Sequence, residues 1–112
     1  MARNYILLLW GTSFKENKSK SDKCVYIFQL RNGIVKIGVT SNFKQRKSTT
    51  ENNSGFKIEN YCHTELMKNK DAREIELKCH TAFKNHRQQG EFFNVDFGEA
   101  CLELKKYADI VF

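Results

Sequence analysis

Two β-rich segments joined by a short turn constrain the fold more than any other feature of the sequence. CVYIFQL (residues 24–30) and GIVKIGV (residues 33–39) lie around the turn tripeptide RNG. Runs of β-branched and aromatic residues around an Asn-Gly pair are typical of an antiparallel β-hairpin. The sequence therefore predicts a hairpin over residues 24–39.

The turn leaves two pairing registers open, and they place the side chains of the two strands differently. A two-residue turn would pair Tyr26 with Val39 and send Lys36 to the opposite face of the sheet. A three-residue turn with Gly33 in the left-handed conformation would pair Tyr26 with Gly38. In that register Tyr26 and Lys36 share one face, and the missing side chain at Gly38 leaves room for a substrate.

In the rest of the chain the strands and helices segregate, in an order that predicts an α+β fold rather than a doubly wound one. NYILLLW is a strand-like segment, and a Lys/Ser-rich connector follows it within residues 1–23. Residues 24–112 are expected to form one domain. After the hairpin we expect a helix capped by Ser41 or Asn42 and then a strand at 56–66. A second helix at 69–86, capped by Asn69 or Asp71, is followed by a short strand at 91–97 and a closing helix at 98–112.

Composition indicates a soluble intracellular protein with a packed core. The chain has 112 residues, is 40% hydrophobic and carries a net charge of +6, which favours polyanionic partners such as DNA. The longest apolar run, YILLLW, is too short to span a membrane. No C-x-x-C pair occurs, so we expect reduced, buried thiols and no structural zinc at Cys24, Cys62, Cys79 and Cys101.

Two helical residues have charges where a core-facing side chain is expected. On the long helix, Glu76 lies at the edge of the apolar stripe near Phe83, and His80 lies one turn further along the same edge. Glu76 is either a structural ion-pair partner that reaches water or a functional carboxylate. On the preceding helix, Arg46 lies one turn from Phe43 and is either a surface residue or directed at an anion beside the sheet.

Five short motifs in order resemble the GIY-YIG nuclease superfamily. They are CVYIF, KIGVT, SNFKQR, ELKCHTAF and GEFF, and together they cover about residues 24–95. The closer resemblance is to a branch found in phages, large DNA viruses and bacteria, which reads VYI, KIG-T, an arginine, E-x-x-L-H and GEWF. That branch is commonly labelled a phage-type DNA-binding domain.

The resemblance implies a small three-stranded antiparallel sheet flanked by helices and DNA cleavage with one divalent metal, Mg²⁺ or Mn²⁺. By matching position, Tyr26 is the candidate general base and Lys36 stands where other members have a second tyrosine. Arg46 matches the phosphate-binding arginine, Glu76 the metal ligand and His80 the histidine of the branch. We expect Tyr26, Lys36, Arg46 and Glu76 to share one shallow, basic cleft, where the Lys36 ammonium favours the Tyr26 phenolate.

The sequence-based hypothesis is therefore a metal-dependent DNA endonuclease with a GIY-YIG-type mechanism. Lys36 and Arg46 are candidate phosphate contacts as well as catalytic residues. Lys44 and Lys47, which flank Arg46 in the sequence, are further candidate DNA contacts. The alternatives are a non-catalytic DNA-binding module of the same fold and a protein-interaction factor on this scaffold. A homodimer or a targeting partner would supply sequence recognition for so small a domain.

Overall fold

The computed structural model describes residues 22–112 and, before them, two paired two-residue strands, Leu7–Leu8 and Trp10–Gly11. Most of the strand-like segment expected near the N-terminus, and the connector up to residue 21, lie outside the described residues. The boundary expected between residues 23 and 24 stays a prediction. None of the described helices has the length and apolar composition needed to cross a membrane.

The hairpin forms with the three-residue turn. Strand β1 (Cys24–Leu30) pairs with β2 (Val35–Thr40), so that Tyr26 lies opposite Gly38 and Phe28 opposite Lys36. Gly33 has a φ of 90°, which is in the left-handed region that a glycine adopts without steric cost. This register is the one that places Tyr26 and Lys36 on the same face of the sheet.

The sheet is antiparallel and has six strands, three more than the resemblance implied. The predicted third strand is β3 (Ile58–Thr64), which pairs with the other side of β1. Three short strands, β4 (Arg87–Gln89), β5 (Phe92–Phe93) and β6 (Ile110–Val111), extend the sheet in the order β4-β5-β2-β1-β3-β6. The prediction that the closing helix includes 110–111 is wrong, because these residues pair with β3.

Three α-helices complete the described part of the chain: α1 (Phe43–Ser54), α2 (Asn69–Ala82) and α3 (Phe97–Lys105). Asn42 caps α1, since its side-chain oxygen accepts a hydrogen bond of 3.0 Å from the Gln45 amide. The cap predicted for α2 is wrong, because Lys68 occupies that position and no side chain bonds the helix start. A single 3₁₀ turn (Lys84–His86) follows α2.

The helices divide the core into two parts, one on each face of the sheet. The larger part lies under α2 and α3 and includes Val25, Ile27, Ile37, Cys79 and Leu104. The smaller part consists of Tyr26, Phe28, Leu30 and Ile58, with Phe43 of α1 packed against it. All four cysteines are buried, and none forms a disulfide bond. Because α1 contributes little apolar surface, polar side chains occupy much of its sheet-facing side.

Candidate active site

The pair formed by Tyr26 and Lys36 lies at the centre of the site. Lys36 Nζ is 2.8 Å from Tyr26 Oη, close enough to donate a hydrogen bond. The Tyr26 ring has no exposed surface and stacks on Phe28 with ring centroids 4.4 Å apart. The strand register brings these side chains together, because Tyr26 and Lys36 project from the same face of adjacent strands.

Gly38 leaves space that other residues of the site occupy. A Cβ atom at this position would lie 2.5 Å from Tyr26 Oη and 2.7 Å from Glu91 Oε1. The absence of a side chain therefore allows Tyr26 and Glu91 to meet above β2. The expected role of Gly38 in admitting a substrate stays a prediction.

The substitution Gly38→Ala is expected to destabilise the protein by about 1–3 kcal/mol, because the buried Tyr26 ring has no free space into which to move. Urea denaturation measures the effect. Asn52→Ala is the control, since Asn52 is an exposed residue of α1, and its free energy of unfolding should change by less than about 0.5 kcal/mol. Equal stability of the two variants would contradict the packing described for Gly38.

Glu91 connects the other members of the site, and the sequence analysis assigned it no role. Its Oε1 atom lies 3.5 Å from Lys36 Nζ, and its charge acts on both Tyr26 and Glu76. Glu91 adds a second carboxylate to a cleft in which Glu76 was the acidic residue expected. The GEFF motif includes Glu91, but its local pattern does not distinguish this glutamate from a surface residue.

Backbone contacts hold Glu91 beside β2, immediately before β5 begins. The Ile37 amide donates a hydrogen bond of 3.0 Å to the Glu91 carbonyl oxygen. Gly90, with a φ of 55°, reverses the chain immediately before it. The site therefore lies at this edge, where side chains from the sheet and from α2 meet.

Glu76 reaches the site from α2. It is only 8% exposed, and its Oε1 atom lies 3.6 Å from Arg73 Nη1 on the same helix. The ion pair that the sequence left open is therefore present, but the nearby Glu91 carboxylate also acts on Glu76. Two neighbouring carboxylates repel each other when both are charged, which is unusual for residues that serve only the fold.

His80 anchors α2 to β2 beside Glu76. Its Nε2 atom lies 2.8 Å from the Ile37 carbonyl oxygen and 3.9 Å from Glu76 Oε2. Its Nδ1 atom lies 3.3 Å from Arg87 Nη2. Because protein groups engage both ring nitrogens, this geometry suits a residue that orients α2. The catalytic role expected for His80 stays a prediction.

Burial and mutual repulsion shift the pKa values of this cluster. Burial, with the nearby Glu91 carboxylate as a further cause, raises the pKa of Glu76 to about 7. Burial and Glu91 also raise the pKa of Tyr26, although the Arg46 charge acts in the opposite direction. In the metal-free protein the cations near Tyr26 therefore do not outweigh burial and Glu91, and the effect expected of Lys36 stays a prediction. Burial lowers the pKa of Lys36.

The raised pKa of Glu76 predicts a pH-dependent stability. Its value of about 7 in the folded protein exceeds 4.5, the ordinary value, so protonation stabilises the fold. This contribution, of order 1–3 kcal/mol, is complete below about pH 4.5 and is lost as the pH rises through 7. In urea denaturation in metal-free buffer, the free energy of unfolding of the wild type should fall as the pH rises across this range. The same decrease should be absent in Glu76→Gln. Identical pH profiles for the two proteins would contradict the assignment.

Arg46 lies beside this cluster on α1, with its side chain exposed and its charge acting on both Tyr26 and Lys36. It separates two depressions of the surface. One is a cavity of about 300 Å³ that Lys36 and Phe92 also line. The other, of about 410 Å³, is lined by Lys23 and Arg73 and is strongly polar. Lys23 and Arg73 are basic residues of the site that the sequence analysis missed.

Lys44 and Lys47 lie away from this cluster. Lys47 Nζ is 3.6 Å from Glu51 Oε2 and 5.6 Å from the ring centroid of Tyr61. Lys44 lines a different cavity, which it shares with Phe43. A role for either lysine in DNA binding stays a prediction, and it would require DNA to extend well beyond Lys36 and Arg46.

Comparison with known proteins places the chain in a family. The family model of the T5orf172 domain matches residues 23–108, a somewhat longer stretch than the motifs span. No curated protein and no solved structure matches the chain significantly. A match over most of the sequence indicates a nuclease or DNA-binding role with DNA as the partner. The chain belongs to the T5orf172 domain family, a phage-associated family related to nuclease and DNA-binding domains.

Proposed function

We propose that this protein is a metal-dependent DNA endonuclease that hydrolyses phosphodiester bonds by a GIY-YIG-type mechanism. The observation that carries the proposal is the convergence of Tyr26, Lys36, Glu76 and Glu91 at one edge of the sheet beside Arg46. A hydroxyl, two cations and two carboxylates gathered in one place are an uncommon grouping for a purely structural site.

The carboxylate pair fits a divalent cation. Within residues 22–112, no cluster of three or more potential metal ligands occurs, so the cation would depend on Glu76 and Glu91. Mg²⁺ binds proteins through one or two carboxylates and keeps several waters, and Mn²⁺ accepts the same oxygen ligands. The mutual repulsion that raises the pKa of Glu76 is what a bound cation would relieve. Bound there, Mg²⁺ or Mn²⁺ would offset charge that develops on the phosphate.

The side chains around this pair have complementary roles in the proposed reaction. Arg46 binds the scissile phosphate through its exposed guanidinium. Glu91 is one cause of the raised pKa of Tyr26, so offsetting its charge shifts Tyr26 towards the phenolate. Lys36, within hydrogen-bonding distance, favours the same form. Tyr26 then accepts the proton of the attacking water.

A non-catalytic DNA-binding module is the second candidate, and the burial of Tyr26 favours it. The ring has no exposed surface, and its pKa is raised in the metal-free protein. A base must lie within reach of the water that it activates. Catalysis requires that Lys36 or Glu91 move on DNA binding, so that water can reach the Tyr26 hydroxyl. If neither moves, the protein binds DNA without cutting it.

Both candidates predict that Arg46→Ala weakens DNA binding across all sequences. Loss of one phosphate contact should lower the slope of log affinity against log salt by about one unit. Fluorescence anisotropy over a range of NaCl concentrations measures this slope. The control is Arg31→Ala, which removes the same charge from a residue that pairs with Glu59 near the hairpin turn. Equal salt slopes for the two variants would contradict the role of Arg46.

Cleavage of DNA tests the catalytic proposal directly. Wild-type protein should nick duplex DNA slowly in Mg²⁺ or Mn²⁺, and EDTA should abolish the activity. Activity that persists in EDTA would contradict the metal dependence. DNA binding without cleavage in either metal would support the binding module.

A further inference from the structure

The cavity between α1 and the sheet has a polar wall where a packed helix normally presents apolar residues. Arg46, Thr50, Asn53 and Ser54 follow the i, i+4, i+7, i+8 spacing of a single helix face. In most amphipathic helices this face would bury leucine or valine against the sheet. Here it lines a cavity of about 300 Å³, with Lys36 and the ring of Phe92 contributing to the remaining wall.

Thr50 contributes an unpaired hydroxyl to this wall. The residue is 4% exposed, and its Oγ1 atom is buried without a hydrogen-bond partner among the described residues. Native proteins seldom leave a buried hydroxyl unpaired, because the desolvation of the group is then uncompensated. A ligand in the cavity would supply the missing partner once a neighbouring side chain moves aside, because the Oγ1 atom itself is covered.

The chemistry of the wall matches a nucleotide. Lys36 Nζ lies 5.8 Å from the ring centroid of Phe92, so a cation for a phosphate and a flat aromatic surface are adjacent. Aromatic rings stack on nucleobases, and asparagine amides pair with their polar edges. At about 300 Å³ the cavity is at the lower end of the ~300–1,000 Å³ range of small-molecule pockets, which suits one planar ring system.

We propose that this cavity is a nucleobase pocket that accepts one unpaired nucleotide next to the phosphate held by Lys36 and Arg46. The inference rests on the proposed function, because it uses the same phosphate-binding residues. A base stacked inside a duplex cannot enter such a pocket, so the nucleotide must be unpaired or flipped out. The preferred substrates are therefore single strands, flaps and frayed ends.

Binding of bases can be separated from binding of phosphates with two matched strands. An oligothymidylate of roughly eight nucleotides and an abasic strand of equal length and charge are titrated with the full chain in EDTA, so that cleavage cannot interfere. Fluorescence anisotropy should give an affinity for the oligothymidylate that is about tenfold higher. Equal affinities would overturn the proposal, since phosphate contacts alone would then explain binding.

Variants of the cavity wall locate the base-binding surface. Asn53→Ala and Phe92→Leu should each reduce the preference for the strand with bases at least threefold. Thr50→Val should do the same while preserving or raising stability, because it replaces the unpaired hydroxyl with a methyl group of similar size. Asn52→Ala, at the exposed neighbour of Asn53, should leave the preference unchanged. An unchanged preference in all three wall variants would overturn the assignment of the cavity.

The two proposals fail in different ways. A protein that cuts DNA but binds the abasic strand as tightly as the oligothymidylate would overturn the nucleobase pocket and leave the nuclease proposal standing. A protein that prefers the strand with bases, loses this preference in the wall variants and never cuts DNA would support the pocket and overturn the nuclease.

Discussion

Glu76→Ala is expected to reduce DNA cleavage roughly a thousandfold or more while leaving the protein folded. Without this carboxylate the proposed cation keeps only Glu91 as a protein ligand. The reaction then loses several kcal/mol of charge stabilisation at the phosphate, the range typical of metal catalysis. Removal of one member of a repelling carboxylate pair should not weaken the fold at neutral pH, since burial and Glu91 both disfavour the charged form of Glu76. Single-turnover cleavage of end-labelled DNA measures the loss.

Glu74→Ala is the matched control, because Glu74 is an exposed glutamate two residues away on the same helix. It should cleave DNA at the wild-type rate. DNA binding by Glu76→Ala in EDTA should equal or exceed that of the wild type, since a negative charge near the phosphate site has been removed. A Glu76→Ala preparation with wild-type activity would show that the observed nuclease is a contaminant or that the metal site lies elsewhere.

Tyr26→Phe is expected to abolish cleavage and to leave DNA binding within about twofold of the wild type. The substitution removes one oxygen, and the proposed phosphate contacts are made by Lys36 and Arg46. Loss of a positioned general base typically costs 10²–10⁴-fold in rate. The stacking of the ring on Phe28 does not involve the hydroxyl, so the core retains its packing. Parallel cleavage and anisotropy assays separate the two effects.

Tyr61→Phe serves as the control for this variant, because Tyr61 is an exposed tyrosine of the same sheet. It should retain full activity. Cleavage by Tyr26→Phe at the wild-type rate would show that another group accepts the proton. Loss of binding together with cleavage would instead show that the hydroxyl holds Lys36 in position for the phosphate.

The central hairpin was accessible from the sequence, and its register was limited to two alternatives, because local chemistry restricts both. The RNG turn permits only a few geometries, and Gly33 adopts the positive φ that the three-residue turn requires. Asn42 was one of two candidate caps for α1, and its short amide side chain bonds the helix start. These features depend on residues within a few positions of each other, where propensities and turn rules apply.

The parts of the site that the sequence did not reveal depend on long-range packing. The contacts of Glu91 depend on the place where the two-residue strand β5 begins along β2, which no local pattern specifies. The direction of the Tyr26 pKa shift depends on how deeply its ring is buried, and burial is a property of the assembled sheet. The sequence shows Thr50 only as a helical residue, because the lack of a hydrogen-bond partner for its hydroxyl depends on the packing around α1.

The strand β6 illustrates the same limit for the fold. Residues 110–111 follow a helix and are apolar, so helical periodicity extended naturally through them. They instead pair with the end of β3, at His63 and Thr64. Tertiary pairing here outweighs local propensity, as is usual for short strands at the edge of a sheet.

Nicking of supercoiled plasmid by the purified wild-type protein is the measurement that tests the nuclease proposal most directly. The account predicts slow conversion to the open circle in Mg²⁺ or Mn²⁺ and no conversion in EDTA. A protein that binds DNA with the expected salt dependence, yet leaves plasmid and single-stranded DNA intact in both metals, would contradict it.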